Sequence, residues 1–403
     1  MGGGGAAKGW LGQMGFTKSG GSINWYPGHM AAATRAIRQR LKLSDFVIEV
    51  RDARIPLSSA NEDLQPMLSG KRRVIALNKQ DLANRNLMHK WISYFNSHKQ
   101  ECLPINAHSR SSVHKFASLL RVINPISMIH IPKLLDLVEF KLKEVMAREP
   151  TLLVMVLGVP NVGKSALINS IHQIALSRFP VYFLLRVMIL VQEKMKKARV
   201  GPLPGVTQDI AGFKIAHRPS VYVLDSPGVL VPSIPDIETG LKLALAGSVK
   251  DSVVGEERIA QYLLAVLNTR GTPLQWKHLV DRETKDPDHE LENKPESVIK
   301  DLQNKGKKPR NKSNAYRVQD MVSEVQRTLC ITLSEFSGSL EDESDLEILI
   351  EHQFEALQKA LKIPHKTSEA RIMVSKKFLT LFRTGKLGPV ILDDVPDASD
   401  SVS

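Results

Sequence analysis

The chain has 403 residues, of which 42% are hydrophobic and 24% charged, values close to the averages of soluble globular proteins. At about 150 residues per domain this length predicts two or three domains, and the composition excludes collagen-like, fibrous and wholly disordered chains. The two cysteines, Cys102 and Cys330, are too few and too far apart for a disulfide framework or a zinc ribbon, which favours a reducing compartment.

Positive charge is concentrated in the first part of the chain, which has a formal net charge of +13 overall. Residues 1–230 hold 31 basic and 14 acidic side chains, whereas residues 231–403 hold 24 and 28. This distribution predicts that the first part attracts a polyanion, such as RNA or a nucleoprotein particle. A basic surface that only keeps the protein soluble is the alternative.

The N-terminal segment is rich in glycine, and no acidic residue precedes Asp45. An acid-free N-terminus is typical of organellar transit peptides, although this one is poor in Arg and Ser. Residues 1–22 are therefore expected to be a targeting or disordered segment. The nearest approach to a membrane span, Phe179–Val191, is interrupted by Arg186, so no transmembrane segment is predicted; peripheral membrane association remains open.

Residues 29–43 have the periodicity of an amphipathic helix, with apolar residues on one face. The opposite face is basic, and its candidates for RNA contact are Arg35, Arg38, Arg40 and Lys42. Such side chains would bind RNA phosphates with a strong salt dependence. A charged, solvated helix is the alternative.

Four short apolar runs are rich in β-branched residues and predict strands. They are residues 46–50, 74–77, 152–157 and 221–224. Their alternation with helical stretches such as Leu134–Met146 predicts an α/β fold with a mostly parallel sheet. In such sheets ligands bind beyond the carboxyl ends of the strands, so the loops after these runs are the expected site.

The sequence GVPNVGKS, residues 158–165, follows a predicted strand and precedes a helical stretch, as a phosphate-binding P-loop requires. Gly163 would let backbone amides close around the phosphates, Lys164 would neutralise β- and γ-phosphate charge, and Ser165 would bind Mg²⁺. The predicted nucleotide-binding residues here are Asn161, Val162, Gly163, Lys164, Ser165 and Ala166. Lys164 is also a predicted catalytic residue.

The sequence NKQD, residues 78–81, ends the second predicted strand and suits guanine recognition. A carboxylate at Asp81 can accept hydrogen bonds from both N1–H and N2 of guanine, while Asn78 and Lys79 hold the ring. A helix-start cluster of Asn and Asp is the alternative. In NAHS, residues 106–109, Asn106, Ala107 and His108 are expected beside the base, although loop capping explains them equally well.

The sequence DSPG, Asp225–Gly228, ends the last predicted strand. Asp225 would reach Mg²⁺ through water, and the Gly228 amide would meet the γ-phosphate. Thr207 lies between P-loop and DSPG, where a switch threonine closes over Mg²⁺ and the γ-phosphate; it is a predicted metal ligand and catalytic residue. An ordinary loop residue is the alternative for Thr207.

The order of these elements is circularly permuted, because NKQD and NAHS precede the P-loop, whereas ordinary GTPases have them last. This order, with DAR at Asp52–Arg54, WYPGHM at Trp25–Met30, GVPNVGKS and DSPGVL, resembles the circularly permuted ribosome-assembly GTPases. The resemblance covers about residues 20–270 and implies a permuted P-loop GTPase domain followed by an all-helical C-terminal domain.

The resemblance further implies a GTPase, dependent on Mg²⁺ and K⁺, that binds the large ribosomal subunit, its rRNA and its ribosomal proteins late in assembly. Hydrolysis would be slow alone and faster on the particle, and the protein would be a monomer off the ribosome. Val229 replaces the usual catalytic glutamine, so the resemblance assigns water positioning to His29 and K⁺ binding to Asn161. The mitochondrial matrix is the expected location, with the chloroplast or cytoplasm as alternatives.

The domain boundaries follow from these assignments and from changes in composition. They are a targeting or disordered segment 1–22, a GTPase domain 23–237, the start of a helical domain 238–280, a flexible charged insert 281–316, further helices 317–392 and a disordered acidic tail 393–403. Two apolar stretches, 116–132 and 182–191, depart from the family pattern. Our hypothesis is that both are splice or gene-model artefacts.

Two other functions compete with this interpretation. The first is a GTP-binding RNA or ribosome scaffold with negligible hydrolysis, because Val229 is chemically inert. The second is a small-molecule or nucleotide kinase that uses the P-loop, which NKQD disfavours.

Overall fold

The computed structural model describes residues 23–24, 28–113, 115, 151–177, 210–217, 220–230, 233–234, 236–281, 310–364 and 369–396. Both apolar stretches suspected of being artefacts and the switch candidate Thr207 lie outside these residues. The chain forms two compact units. One comprises Ser22–Val254 with Pro389–Ser403, and the other comprises Gly255–Gly388 with Met1–Gly21.

A six-stranded sheet with strand order β4-β3-β2-β5-β7-β6 forms the centre of the first unit. Its strands are β2 (Phe46–Asp52), β3 (Arg73–Asn78), β4 (Cys102–Pro104), β5 (Thr151–Leu157), β6 (Ala211–His217) and β7 (Ser220–Asp225). All neighbouring strands are parallel except β6, which is antiparallel to β7. The mostly parallel α/β fold predicted from the sequence is confirmed, and each of the four apolar runs forms a strand.

Strand β2 is buried along its whole length, as expected of a central strand in a parallel sheet. It nevertheless carries two charged residues in its middle. Glu49 accepts from Arg51 at 2.8 Å and from Arg73 at 3.2 Å. Pairing offsets the cost of burying these charges, so the ion pairs of Glu49 can lie in the interior of the sheet.

Helices pack on the sheet through two apolar clusters. Helix α1 (Gly28–Leu43) buries Ile37 and Leu41 in a cluster that includes strand residues Val47 and Met155. This burial confirms the amphipathic pattern, and the basic residues of the other face are exposed. Helix α3 (Arg85–Ser97) contributes the second cluster through Trp91 and other aromatic residues.

The remaining elements of the first unit are short or lie near the site. They are strands β1 (Ile23–Asn24) and β8 (Ser233–Ile234), which pair with each other, and helices α2 (Gln65–Leu68), α4 (Lys164–Ser177), α5 (Ile237–Leu245) and α6 (Asp251–Val254). Helices α5 and α6 were expected in the helical domain, but the structure places them in the first unit. The reason is that the turn between them bonds to the P-loop, as described below.

Residues 389–396, which we call the C-terminal strap, return to the first unit. The Val390 amide donates to the carbonyl of Leu82 at 3.1 Å, and the Leu392 amide donates to that of Arg54 at 2.7 Å. Between them Ile391 is buried beside Trp91. The strap therefore joins two loops that follow neighbouring strands of the sheet.

Asp393 corrects the expected start of the acidic tail, because its side chain is only 4% exposed. Its carboxylate accepts from the backbone amides of Leu57 and Ser58 at 2.8 and 2.9 Å, and from the Ser58 hydroxyl at 2.6 Å. Lys242 lies 3.4 Å away. These donors replace the water that a carboxylate loses on burial, so Asp393 anchors the end of the strap.

The second unit is helical throughout its described part. Its helices are α7 (Glu256–Thr269), α8 (Lys277–Asp281), α9 (Arg310–Ser334), α10 (Glu343–Ala360) and α11 (Ala370–Arg383). A buried amide pair links two of them, since Asn268 and Gln353 exchange hydrogen bonds of 2.8 and 3.0 Å. Residues 310–316, expected in the flexible insert, form the first turns of α9. No helix among the described residues has the length and hydropathy needed to cross a membrane.

Candidate functional site

The P-loop connects β5 to α4. Gly158, Asn161 and Gly163 all have positive φ, at 149°, 59° and 95°. A Cβ at Gly163 would lie 2.3 Å from the amide nitrogen of Asn78, so only glycine lets the NKQD segment approach the loop this closely.

Lys164 begins helix α4, and its side chain turns back into the P-loop. The ammonium donates to the carbonyls of Gly158 and Val159 at 3.0 and 2.9 Å, and the residue is only 6% exposed. Burial lowers the pKa of Lys164 to about 8, although the charge of Asp225 opposes this shift. The amine is thus held where a phosphate would meet it.

Ser165 and Asp225 form an oxygen-rich pair beside Lys164. The Ser165 hydroxyl donates to Oδ2 of Asp225 at 2.8 Å. Oδ1 of Asp225 is buried and has no hydrogen-bond partner among the described residues. Burial raises the pKa of Asp225, opposed by the Lys164 charge and the Ser165 hydrogen bond. Hard oxygen donors with an unsatisfied carboxylate oxygen fit a magnesium ion.

The DSPG segment runs directly along the P-loop. A Cβ at Gly228 would lie 2.5 Å from Cα of Pro160, so the backbones are in close contact. The next residue, Val229, is 1% exposed and packs in the cluster of helix α1. Its apolar side chain is buried in the core, as expected of a residue with no chemical role.

Asn78 joins the two parts of the site that the permutation separates along the chain. Its amide nitrogen donates to the carbonyl of Val162 in the P-loop at 2.7 Å. Its amide oxygen accepts from the backbone amide of Ala107 at 2.9 Å. Asn78 therefore connects NKQD, NAHS and the P-loop to one another.

The NAHS loop is fixed by contacts of its own. The Asn106 side chain accepts from the backbone of His108 at 2.9 Å, so it caps its loop as the alternative interpretation proposed. Ser170 of helix α4 donates to the carbonyl of Ala107 at 2.6 Å. His108 and Asp81 are exposed, and Ala166 is buried in helix α4.

Lys79 makes a contact that sequence reasoning missed. It adopts a left-handed conformation with φ of 63°, and its ammonium lies 2.8 Å from a carboxylate oxygen of Asp52. Asp52 also pairs with Arg54 at 2.8 Å. The DAR triplet ends the strand beside β3, and this position in the sequence is the signal for the contact.

A second missed element is the turn Ala246–Ser248 after α5. Asn161 donates through its side-chain amide to the carbonyl of Gly247 at 2.8 Å. Ser248 donates to the carbonyl of Pro160 at 2.8 Å. The turn therefore braces the P-loop at the residue assigned to K⁺.

Three predicted residues or groups are not brought into this site by the described contacts. Thr207 lies outside the described residues. His29 lies in helix α1, but its side chain is likewise outside the described part of the chain. The basic residues of α1 are exposed, and among the described residues Arg35 donates to the carbonyl of Ala31 at 3.4 Å.

Comparison with known proteins gives related sequences over most of the chain. Residues 153–308 match a family model described as "50S ribosome-binding GTPase". Short integuments 2, mitochondrial, from Arabidopsis thaliana is 70% identical over 97% of this chain and 94% of its own length. Mitochondrial ribosome-associated GTPase 1 from Mus musculus is 39% identical over 61% of this chain and 67% of its own length. Ribosome biogenesis GTPase A from Bacillus cereus is 34% identical over 60% of this chain and 70% of its own length.

Proposed function

This chain belongs to the circularly permuted GTPases that include Short integuments 2 and the mitochondrial ribosome-associated GTPases, and on this basis we propose that it hydrolyses GTP while bound to the large ribosomal subunit late in assembly. The carrying observation is the position of Asn78, which ties the base-recognition segments to the P-loop. A GTPase of ribosome assembly is what its relatives' names support. Short integuments 2 and the mouse relative are both named as mitochondrial, so the protein is mitochondrial; we place it in the matrix.

The phosphate end of the site supplies charge and orientation. Lys164 would exchange its loop carbonyls for β- and γ-phosphate oxygens, and Ser165 and Asp225 would hold Mg²⁺. Bound Mg²⁺ neutralises charge that develops on the transferred phosphoryl group. Water would be the acceptor, and the Gly228 amide would donate to the γ-phosphate.

The base end provides selection for guanine. Asp81 is exposed next to the buried Asn78, so its carboxylate is available to N1–H and N2 of guanine. Adenine offers no such pair of donors, which disfavours the kinase alternative.

The attacking water needs a positioning group other than Val229. We assign this role to His29, following the family, together with Thr207 as the switch residue. A K⁺ ion held by Asn161 would supply positive charge where other GTPases use an arginine finger. The contact from Asn161 to the turn at Gly247 supports this assignment, because it fixes the asparagine side chain beside the P-loop.

Binding to the particle would use the exposed basic face of helix α1. Its guanidinium and ammonium groups suit rRNA phosphates, and ribosomal proteins would complete the contact. Association with subunits should therefore weaken steeply as salt is raised.

We expect nucleotide affinity to fall at alkaline pH. The Lys164 pKa of about 8 means that the free protein loses this proton above pH 8, whereas bound phosphates would keep it. The Kd for GDP should be flat from pH 6.5 to 7.5 and should rise toward tenfold per pH unit above pH 8.5. Titration calorimetry between pH 6.5 and 9 measures the Kd for GDP.

Lys164→Arg is the control for this pH dependence, because arginine stays charged throughout the pH range. The nucleotide itself titrates in the same way with both proteins, so any difference between their curves comes from residue 164. The variant should show a flatter curve than the wild type. Equal slopes for the two proteins would contradict the assignment of the titrating group to Lys164.

One alternative keeps an observation in its favour. The core-facing Val229 leaves DSPG without a catalytic side chain of its own, as expected of a GTP-binding scaffold with negligible hydrolysis. The two functions differ in turnover, not in nucleotide binding.

Steady-state GTP hydrolysis in KCl and in NaCl at equal ionic strength, with and without large ribosomal subunits, tests the proposal. We expect turnover to rise with K⁺ and to rise again with subunits. Tight GTP binding without turnover in any of the four conditions would favour the scaffold. Preference for ATP over GTP would overturn both.

A further inference from the structure

The DAR triplet lies beside the base-recognition segment and has no role in the function proposed so far. Asp52 ends strand β2, is fully buried and lies opposite Asn78 in the parallel pairing of β2 with β3. The amide of Ala53 donates to the carbonyl of Asn78 at 2.8 Å. The DAR and NKQD segments are therefore locked together at the carboxyl ends of their strands.

The Asp52 carboxylate receives more donors than its neutralisation requires. Arg54 donates to it from the backbone amide and from Nε at 3.0 Å each, and from Nη2 at 2.8 Å. This fork already pairs the charge with good geometry. Asp52 makes an additional ion pair with Lys79 at 2.8 Å, which immobilises the flexible lysine side chain at a cost in entropy. Because Asp52 is already paired with Arg54, we expect this second ion pair to act on the conformation of Lys79.

Lys79 occupies a strained position whose geometry matters for the base. It turns the chain from β3 into the short 3₁₀-helix Gln80–Leu82, which carries Asp81. The left-handed conformation is unfavourable for lysine. Because Asp52 holds the end of the Lys79 side chain, it stabilises the conformer that presents Asp81.

The support for Asp52 is itself fixed from several sides. Nη2 of Arg54 also reaches the carbonyl of Ala246 at 3.4 Å, and the carbonyl of Arg54 accepts from the strap at Leu392. Burial alone would raise the pKa of Asp52, but Arg54 and Lys79 outweigh it and hold the pKa well below its usual range. The carboxylate is ionised whenever the protein is folded at physiological pH.

From this arrangement we propose that Asp52 is a positioning residue for guanine recognition: it fixes Lys79 and, through the turn at Lys79, the placement of the Asp81 carboxylate. The proposal rests on the proposed GTP-binding function and deepens it. It assigns the DAR triplet to selection of the base, not to phosphate binding or hydrolysis.

Asp52→Asn tests the proposal through base discrimination. Inosine nucleotides lack the N2 amino group of guanine, so the ratio of Kd for IDP to Kd for GDP reports the Asp81 contact. We expect the variant to lose GDP affinity by about 10-fold or more, as for a charge-assisted hydrogen bond, and the IDP/GDP ratio to fall toward one. The affinities for GTP and GDP should fall by the same factor.

Glu49→Gln is the matched control, because Glu49 is a second buried carboxylate on the same strand with two arginine partners. It should lower thermal stability but leave the IDP/GDP ratio at the wild-type value. An unchanged ratio in Asp52→Asn, or an equal change in Glu49→Gln, would show that Asp52 is only structural and would overturn the proposal.

Lys79→Met keeps the test decisive if Asp52→Asn does not fold, since it leaves the Asp52–Arg54 pair intact. Lys79→Met should also reduce the IDP/GDP ratio. The double variant Asp52→Asn/Lys79→Met should lose no more GDP affinity than Lys79→Met alone. Additive losses would contradict action through Lys79. The wild type is measured first: failure to prefer GDP over ADP would refute the proposed function, whereas a normal preference with an unaffected Asp52 variant refutes only this inference.

Discussion

Replacing Asp81 by asparagine is expected to reverse the base preference of the site. In the proposed complex the wild-type carboxylate would offer two acceptors to the N1–H and N2 donors of guanine, whereas an asparagine amide would present one acceptor and one donor. The donor would face the guanine amino group, so GTP affinity should fall by about 10²-fold or more. Xanthine carries a carbonyl at that position and matches the amide, so XTP should bind the variant more tightly than GTP.

Competition binding with GTP, XTP and ATP measures this reversal. Asp63→Asn is the control, because Asp63 is an exposed acid at the start of a short 3₁₀-helix of the same unit. That substitution should leave all three affinities unchanged. Loss of GTP and XTP binding to the same extent in Asp81→Asn would indicate that the residue supports the loop without contacting the base.

Replacing Lys164 by alanine should abolish measurable turnover. Its ammonium is the buried cation of the P-loop, and removal of one such charge stabiliser of a transition state costs about 10²–10³-fold in rate. GDP affinity should fall as well, because the β-phosphate loses a charge-assisted hydrogen bond. Single-turnover hydrolysis, with protein in excess over GTP, separates the loss of rate from the loss of affinity.

Stability distinguishes this catalytic loss from misfolding. Burial of the Lys164 charge is unfavourable without a phosphate, as its lowered pKa shows, so alanine should unfold at no lower temperature than the wild type. Lys90→Ala, on the exposed side of helix α3, controls for the loss of a lysine. Turnover within tenfold of the wild type in Lys164→Ala would exclude the P-loop from the chemistry.

The parts of the fold that the sequence predicted are those encoded by local patterns. Strands β2, β3, β5 and β7 each contain a short apolar run rich in β-branched residues, and the P-loop glycines occupy positions that require positive φ. Strand β6 was not predicted, because Ala211–His217 mixes Gly, Ala and Lys and pairs only at the sheet edge, with a register shift at Lys214/Ala216.

The parts that could not be predicted depend on contacts between distant segments. Asp393 looked like the start of a polar tail because its donors at Leu57 and Ser58 lie 336 and 335 residues away. Helix α5 has the same helical pattern whichever unit it packs in, so its place follows only from the turn that binds the P-loop. The role of Asp52 appears only once β2 lies beside β3.

The C-terminal strap has a consequence for the order in which the protein becomes active. Synthesis and import deliver the chain from its N-terminus, and contacts this distant in sequence form late because they close a very long loop. The loops at Arg54 and Leu82 receive their last backbone hydrogen bonds from residues 390 and 392. A chain cut short before Pro389 would contain every nucleotide motif yet lack these bonds. The strap thus makes the last backbone hydrogen bonds at these two loops depend on completion of the polypeptide.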